Sequence, residues 1–357
     1  MSSAVVVGAG VFGAATAREL QRRGWDVTVI EQYTPGTVRS ASGGDTRLLR
    51  FAHGDVEWYT RLARRALELW RELEEETQTR LYEPVGVAWF DSGVGDFTGR
   101  SERTLARLGI DTVRLSPEEA TKLYPSLGGA DLRSVLFEPD AGVLHARRAT
   151  QALARDLRIE TRRATPGDPP RADAVVWAAG AWLPQLFPRL VELKISRRDV
   201  FFLGVDGSWA GTPGFCDYDA AFYGHGEVRG LGMKIASDGP GDEIDPDTLE
   251  RKPLPQNEQA VRDYAARRFP ALAGAPLIGA RVCQYSLTPD THFVVAPHPK
   301  RDGWWIVGGG SGHGFKHGPA LGEYVADCVE EKRQPEPFHA LGPRERQAGL
   351  RSAIVET

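Results

Sequence analysis

The run Val5-Val6-Val7-Gly8-Ala9-Gly10-Val11-Phe12-Gly13 limits what this chain can fold into more than any other stretch. Three β-branched residues suit a short buried strand. The glycines behind them are spaced G-x-G-x-x-G, and the small residues from Ala14 to Leu20 read as a helix. Gly8 permits the tight turn, Gly10 lets the backbone approach a pyrophosphate, and Gly13 lets helix and strand pack closely. The phosphates would rest on free N–H groups at the positive end of the helix. Such spacing alone is weak. A strand before it and a helix after it make a dinucleotide site the better reading. A second apolar run, Val27 to Ile30, ends in Glu31, placed to hydrogen-bond the ribose hydroxyls of an adenosine.

With 357 residues the chain can bury a large core and is expected to form two domains. A hydrophobic fraction of 41% and a charged fraction of 26% place it among soluble globular proteins. Its net charge of -4 gives no reason to expect nucleic acid or an anionic membrane as partner. The N-terminus runs straight into the first strand, so no secretory signal is expected, and no apolar run is long enough to span a bilayer. Cys216, Cys283 and Cys328 cannot close a disulfide framework and lack metal-ligand spacing, so no metal site is expected. The cytoplasm is the expected compartment.

After Glu31 a Thr34-Pro35-Gly36 turn leads into a polar segment, Arg39 to Arg50. In a helical turn Arg47 and Arg50 would share one face. They read equally well as an anion-binding wall, for a flavin or a substrate carboxylate, and as a solvated basic patch. Asp55 to Gln78 carries the apolar stripe of a long amphipathic helix. Leu81 to Asp91 alternates like a strand, Ser101 to Leu108 is helical, Asp111 to Leu115 is a strand, and Ser116 opens another helix with a capping signal. Val135 to Leu144 reads as strand, turn and strand, followed by a helix from Arg147 to Leu157.

Ala172 to Trp177 is a buried strand ending in Ala178-Ala179-Gly180-Ala181-Trp182, small residues that suit a second close approach to a cofactor. Phe201 to Leu203, Ala221 to Gly224 and Leu231 to Ile235 read as strands of one antiparallel sheet. Asp238 to Pro255 is an acidic loop and Asn257 to Phe269 a helix. Ala280 to Ser286 leads into Phe293 to Ala296, and Trp304 to Gly310 is a strand running into glycines. Ser311 to Ala320 starts the last long helix, through Glu331, with glycines at its N-terminus. Nucleotide-type segments therefore occur at both ends and in the middle of the chain, with antiparallel texture between them. The expected fold is α/β: a discontinuous Rossmann-like nucleotide domain over residues 1–80, 140–190 and 280–357. A second α+β domain, built on an antiparallel sheet, covers 81–139 and 191–279, and the site lies in the cleft.

Four blocks carry a resemblance over nearly the whole chain: Val7-Gly8-Ala9-Gly10; Gly44 to Arg50; Val282-Cys283-Gln284-Tyr285 with Asp290 to Phe293; and Ser311 to Lys316. Together they resemble the monomeric sarcosine oxidase and N-methyltryptophan oxidase group of FAD-dependent amine oxidases, in the D-amino acid oxidase-like superfamily. The resemblance implies a glutathione-reductase-type FAD domain. It implies flavin contacts from the Gly8-Gly10-Val11-Phe12-Gly13 loop, from Glu31, Gln32, Ser42, Thr46 and Arg47, and from Gly180 and Trp182. The block Ser311, Gly312, His313, Gly314, Phe315 and Lys316 would complete them.

Read by itself, Cys283 is a buried inert thiol; the resemblance implies a thioether from Cys283 to the flavin. It likewise implies that Lys234 lies above the ring, where a cation stabilises superoxide and peroxide charge. Arg47 would sit beside the flavin, Arg50 and Lys316 would grip the substrate carboxylate, and Tyr223 would stand over the substrate. The chain departs from the pattern where the group carries histidines, having Gly43 and Asp238 instead, and where it carries a tyrosine, having His53. Glycine at 43 is expected to open space. Asp238 would put a carboxylate near the substrate amine, as in relatives acting on cyclic imino acids.

The implied activity is oxidation of the C–N bond of a secondary amino acid to an imine, with molecular oxygen reduced to hydrogen peroxide. The substrate is expected to be bulkier or more polar than sarcosine, and the enzyme a monomer. The alternatives are a fructosyl amino acid oxidase, a cyclic imino acid oxidase acting on pipecolate or piperideine carboxylate, a glycine-oxidase-like enzyme, or an amine dehydrogenase with another acceptor.

Overall fold

The computed structural model describes residues 1–346 and 349–350. Ser3–Val7 is the central strand of a six-stranded sheet. It pairs in parallel with Ala174–Trp177 on one side and Asp26–Glu31 on the other. Arg158–Thr161 adds a parallel strand beyond Asp26–Glu31, and Trp304–Gly308 one beyond Ala174–Trp177, with Val294–Pro297 antiparallel at that edge. Both faces of the central strand are apolar. Ala4 and Val6 enter one core, Val5 and Val7 the other, as a strand covered on both sides requires.

Helix Val11–Arg22 covers the first of those faces together with the last helix, Gly318–Val329. The two approach closely enough that a Cβ on Gly322 would lie 2.6 Å from the Ala15 carbonyl oxygen. The glycine loop is packed just as tightly. Gly8 has φ +104°, and a Cβ on Gly13 would come within 1.9 Å of the Gly8 carbonyl oxygen, so no larger residue fits.

An eight-stranded sheet runs in the order Leu277–Leu287, Lys194–Leu203, Met233–Ser237, Phe222–His225, Gly214–Asp217, Val87–Asp91, Ser134–Glu138, Val113–Leu115. It is antiparallel except between Gly214–Asp217 and Val87–Asp91. The expected antiparallel trio is part of it. The long amphipathic helix spans Glu57–Thr77 and ends where Gln78 turns left-handed, φ 51°.

Two expectations, on Arg47 and on the start of the last helix, need correction. Arg47 lies not in a helical turn but in the strand Thr46–Leu49, which pairs with Gly142–His145 in a small three-stranded sheet with Tyr82–Glu83. Arg47 lines the cavities described below and Arg50, just past the strand, does not. The strands expected over Val135 to Leu144 both form, but Ser134–Glu138 joins the large sheet and Gly142–His145 the small one. The last helix begins at Gly318; before it Ser311 and Gly312 turn at φ 45° and 76°, and Phe315–His317 make a single 3-10 turn. Among the described residues no helix is long and apolar enough to cross a membrane.

Candidate active site

A cavity of about 320 Å³ opens at the C-terminal ends of the parallel strands, where such sheets bind ligands. The expected residues Gly8, Gly10, Val11, Phe12, Glu31, Gln32 and Ser42 line it, as do Arg47, Gly180, Trp182, Ser311, Gly312, Gly314 and Phe315. Its floor is bare backbone: a Cβ on Gly180 would meet nothing within 4 Å, and one on Gly10 only Ser42 Oγ at 3.2 Å. Glu31 is fixed at one end, accepting Ala9 N–H at 2.7 Å and Tyr33 N–H at 2.8 Å. At the same end Trp182 donates its indole N–H to Asp247, which pairs with Arg163 at 2.8 Å. Val11 N–H is held by Ser42 Oγ at 2.9 Å, so a phosphate on this amide competes with that hydroxyl. An open glycine floor with a carboxylate at the ribose position fits a long dinucleotide such as FAD. Gly13 does not line the cavity; it sets the packing of the loop beneath.

At the other end the antiparallel sheet supplies the side chains. Strand periodicity puts Cys283 and Tyr285 on one face, and Tyr285 lines the large cavity. Cys283 lines a smaller adjoining cavity of about 30 Å³ with Gly43, Thr46, Arg47 and Lys234. Arg47 joins the two. Its guanidinium donates to the carbonyl oxygens of Ala41, Gly43 and Thr46, lies over Phe315, and reaches Cys283 Sγ at 3.4 Å. Lys234 is 2% exposed and donates to the Thr46 carbonyl oxygen at 2.9 Å. Burial, and then the neighbouring Arg47, press its pKa down to about 7.

Tyr223 and Asp238 line neither cavity but are one contact away. Tyr285 OH donates to Asp238 Oδ1 at 3.0 Å and lies 3.3 Å from Tyr223 OH, whose hydrogen is free to point at the Tyr285 oxygen. Burial first, and the Asp238 carboxylate second, push the Tyr223 hydroxyl up to about 12, so it stays a donor at neutral pH. Lys234 Nζ lies 5.4 Å from the Tyr223 ring centroid, and Arg198 stacks over Tyr285 at 4.6 Å. Tyr285, Arg198 and Asp247 were not singled out from the sequence; the alternation Cys283–Tyr285 was the available signal for the first.

Arg50 and Lys316 line neither cavity; both are buried, near enough for Arg50 to act on the Lys316 charge. Burial and then Arg50 drive the Lys316 pKa well below its usual value. Lys316 Nζ donates to the His313 carbonyl oxygen at 2.9 Å. Arg50 stacks over Trp89 at 4.6 Å and donates to the carbonyl oxygens of Ala52, at 2.7 Å, and Leu350, at 3.0 Å. A carboxylate approaching Nη2 of this guanidinium competes with the Leu350 carbonyl. Among the described residues none of Arg47, Arg50, Lys234 and Lys316 forms an ion pair.

Three expectations do not match the geometry. Gly43 opens no space, because a Cβ there would meet the Thr37 carbonyl oxygen at 2.2 Å; backbone already fills the volume. His53, 0% exposed, and His313 line neither cavity. Their rings turn instead toward each other and His317.

Residues 3–328 match the family described as DAO, FAD dependent oxidoreductase. The monomeric sarcosine oxidase of Bacillus sp. (strain NS-129) is 30% identical over 360 residues, covering 91% of this chain and 92% of that one. The N-methyl-L-tryptophan oxidase of Yersinia pestis is 26% identical over 359 residues, covering 93% and 95%. In structure the chain is similar to L-proline dehydrogenase from P. horikoshii, with TM-score 0.80, 23% identity, and 95% and 96% of the two chains covered. With the family matched over most of its length and a cavity shaped for the cofactor, the chain belongs to the DAO family of FAD-dependent oxidoreductases.

Proposed function

We propose that this protein oxidises a secondary amino acid, N-alkyl or cyclic, to the imine and passes the electron pair to molecular oxygen, releasing hydrogen peroxide. One observation carries the reading: four buried or partly buried basic side chains form no ion pair among the described residues, and two of them, Arg47 and Lys234, line the cavities. Unneutralised charge is costly to bury, and an amino acid carboxylate beside an anionic cofactor would offset that cost. The names of the sarcosine and N-methyltryptophan relatives point to the same substrate class.

FAD, when bound, supplies the redox chemistry, accepting two electrons from the amine and handing them on. Arg50 would hold the carboxylate by charge-assisted hydrogen bonds and Lys316 by a point charge, which fixes the carbon beside nitrogen. Lys234 and Arg47 would set positive charge where reduced oxygen forms. Asp238, with its oxygen on Tyr285 OH, would accept an N–H from a polar or cyclic amine. With Gly43 giving no extra room, polarity rather than bulk separates the expected substrate from sarcosine. Cys283 would carry the flavin by a thioether, with Arg47 beside its sulfur. We divide the chain as residues 1–80, 140–190 and 280–357 for FAD and 81–139 and 191–279 for substrate, and read it as a monomeric cytoplasmic enzyme whose three cysteines remain unpaired.

The test is peroxide release by purified protein on a panel of sarcosine, N-methyltryptophan, L-proline, L-pipecolate and fructosyl valine. Turnover of at least one secondary amino acid with stoichiometric peroxide is the expected outcome. Flavin reduction without peroxide would reassign the acceptor, and a flavin that none of them reduces would remove the substrate class.

A further inference from the structure

Behind the Arg50–Lys316 pair lies a group of side chains that the oxidation does not use. His53, His313 and His317 are all buried, and one ring nitrogen from each lies within 4.8 Å of the others. The fold assembles them from distant sequence: His313 and His317 sit four residues apart across the 3-10 turn, and His53 follows the small sheet's first strand.

Two of the rings have one nitrogen fixed. His53 Nδ1 is 2.8 Å from the Phe51 carbonyl oxygen, and His313 Nε2 is 2.9 Å from the Thr291 carbonyl oxygen. A carbonyl can only accept, so each of these nitrogens carries the hydrogen. The lone pair is thereby placed on the other nitrogen, and His53 Nε2 and His313 Nδ1 have no partner among the described residues. Neither has either nitrogen of His317. Orphaned buried polar atoms of this kind ask for an occupant. A backbone carbonyl orienting the far nitrogen is the arrangement that metal-ligating imidazoles ordinarily show.

We propose that His53, His313 and His317 form a three-imidazole site for one first-row divalent transition ion of the zinc or cobalt type. For three atoms no more than 4.8 Å apart some point lies within about 2.8 Å of all of them (4.8/√3). Coordination at about 2.0–2.1 Å then needs the rings to close inward by less than about 1 Å. Three neutral nitrogens and no oxygen select against magnesium and calcium. Arg50 and Lys316 repel any cation here, so the ion must gain its affinity from the ligand bonds rather than from long-range charge. Tyr59 and Phe293 pack against the rings, which are buried from bulk solvent. The rival occupant is a buried water.

The site is independent of the substrate reading and is tested without turnover. Untagged flavoprotein, treated with EDTA, is incubated with excess zinc or with excess magnesium, desalted, and analysed for metal per chain by mass spectrometry. About one zinc and no magnesium is expected in the wild type, with zinc falling more than tenfold in His317→Ala while the flavin spectrum is retained. Loss of zinc from the wild type on desalting, or equal zinc in His317→Ala, overturns the proposal in favour of water. If the variant does not fold, zinc X-ray absorption on the wild type decides. Imidazole nitrogen at about 2.0–2.1 Å supports the site, and a sulfur shell at about 2.3 Å overturns it.

Discussion

Lys234 is a strand residue with almost no contact with solvent, and its amine donates to the Thr46 carbonyl. Such a position serves no solubility purpose. Lys234→Met keeps the length and removes the charge, so reoxidation by oxygen should slow by about 10²–10³-fold, while anaerobic reduction changes little. Stopped-flow traces of both half-reactions check this, and an unchanged oxygen rate removes the assignment. Cys283→Ser should leave the yellow colour in solution after acid precipitation, whereas wild-type precipitate carries it down. At this scale the sequence is least legible. Taken alone, Lys234 and Cys283 read as an ordinary strand lysine and an inert thiol, and only the resemblance gives them roles. His53 was expected at the substrate because a tyrosine holds that place in the group; its burial among histidines is a tertiary fact that no local pattern encodes.

Among elements, the glycine loop was readable because its chemistry is local: strand, turn and helix are adjacent in sequence, and each glycine has a steric reason. Gly13→Ala would force the helix away from Gly8. Overpacking of this sort costs about 1–3 kcal/mol, so the variant should purify with less flavin per chain and melt lower than wild type. The strand Thr46–Leu49 was not readable, since its pairing partner lies about a hundred residues away and tertiary pairing overrode the expected turn. The C-terminal segment is a second such case. Leu350 bonds Arg50 and Thr291, and Gly349 bonds Tyr218. A chain ending at Arg346 frees a guanidinium face, and KM for carboxylate-bearing amines should fall several-fold with kcat held; an unchanged KM would show that the contact does not compete.

For the whole molecule, buried imidazoles set the response to acid. Burial above all lowers the His225 and His339 pKa values to about 3, against an ordinary value of about 6.5. Between those values the unfolded chain binds protons that the native state refuses, so stability is complete above about 6.5 and is lost as pH falls toward 3. Each histidine contributes about 1.4 kcal/mol per pH unit in that window. Tm at constant ionic strength should drop by several degrees between pH 6.5 and 5, and a flat profile would contradict this burial. The two-sheet architecture was legible at this scale, because alternating textures along the chain mark which segments return to the nucleotide fold. Where Arg50 and Lys316 point was not, because it depends on how the two sheets close over each other. The most direct test of the account is therefore anaerobic flavin bleaching by an N-methyl amino acid and by the same amine without its carboxylate, in wild type and in Arg50→Gln. A charged hydrogen bond is worth about 1.5–3 kcal/mol. The wild type should favour the carboxylated substrate by at least about tenfold, with the preference collapsing in the variant. Equal bleaching by both amines in the wild type would contradict the carboxylate grip on which the account rests.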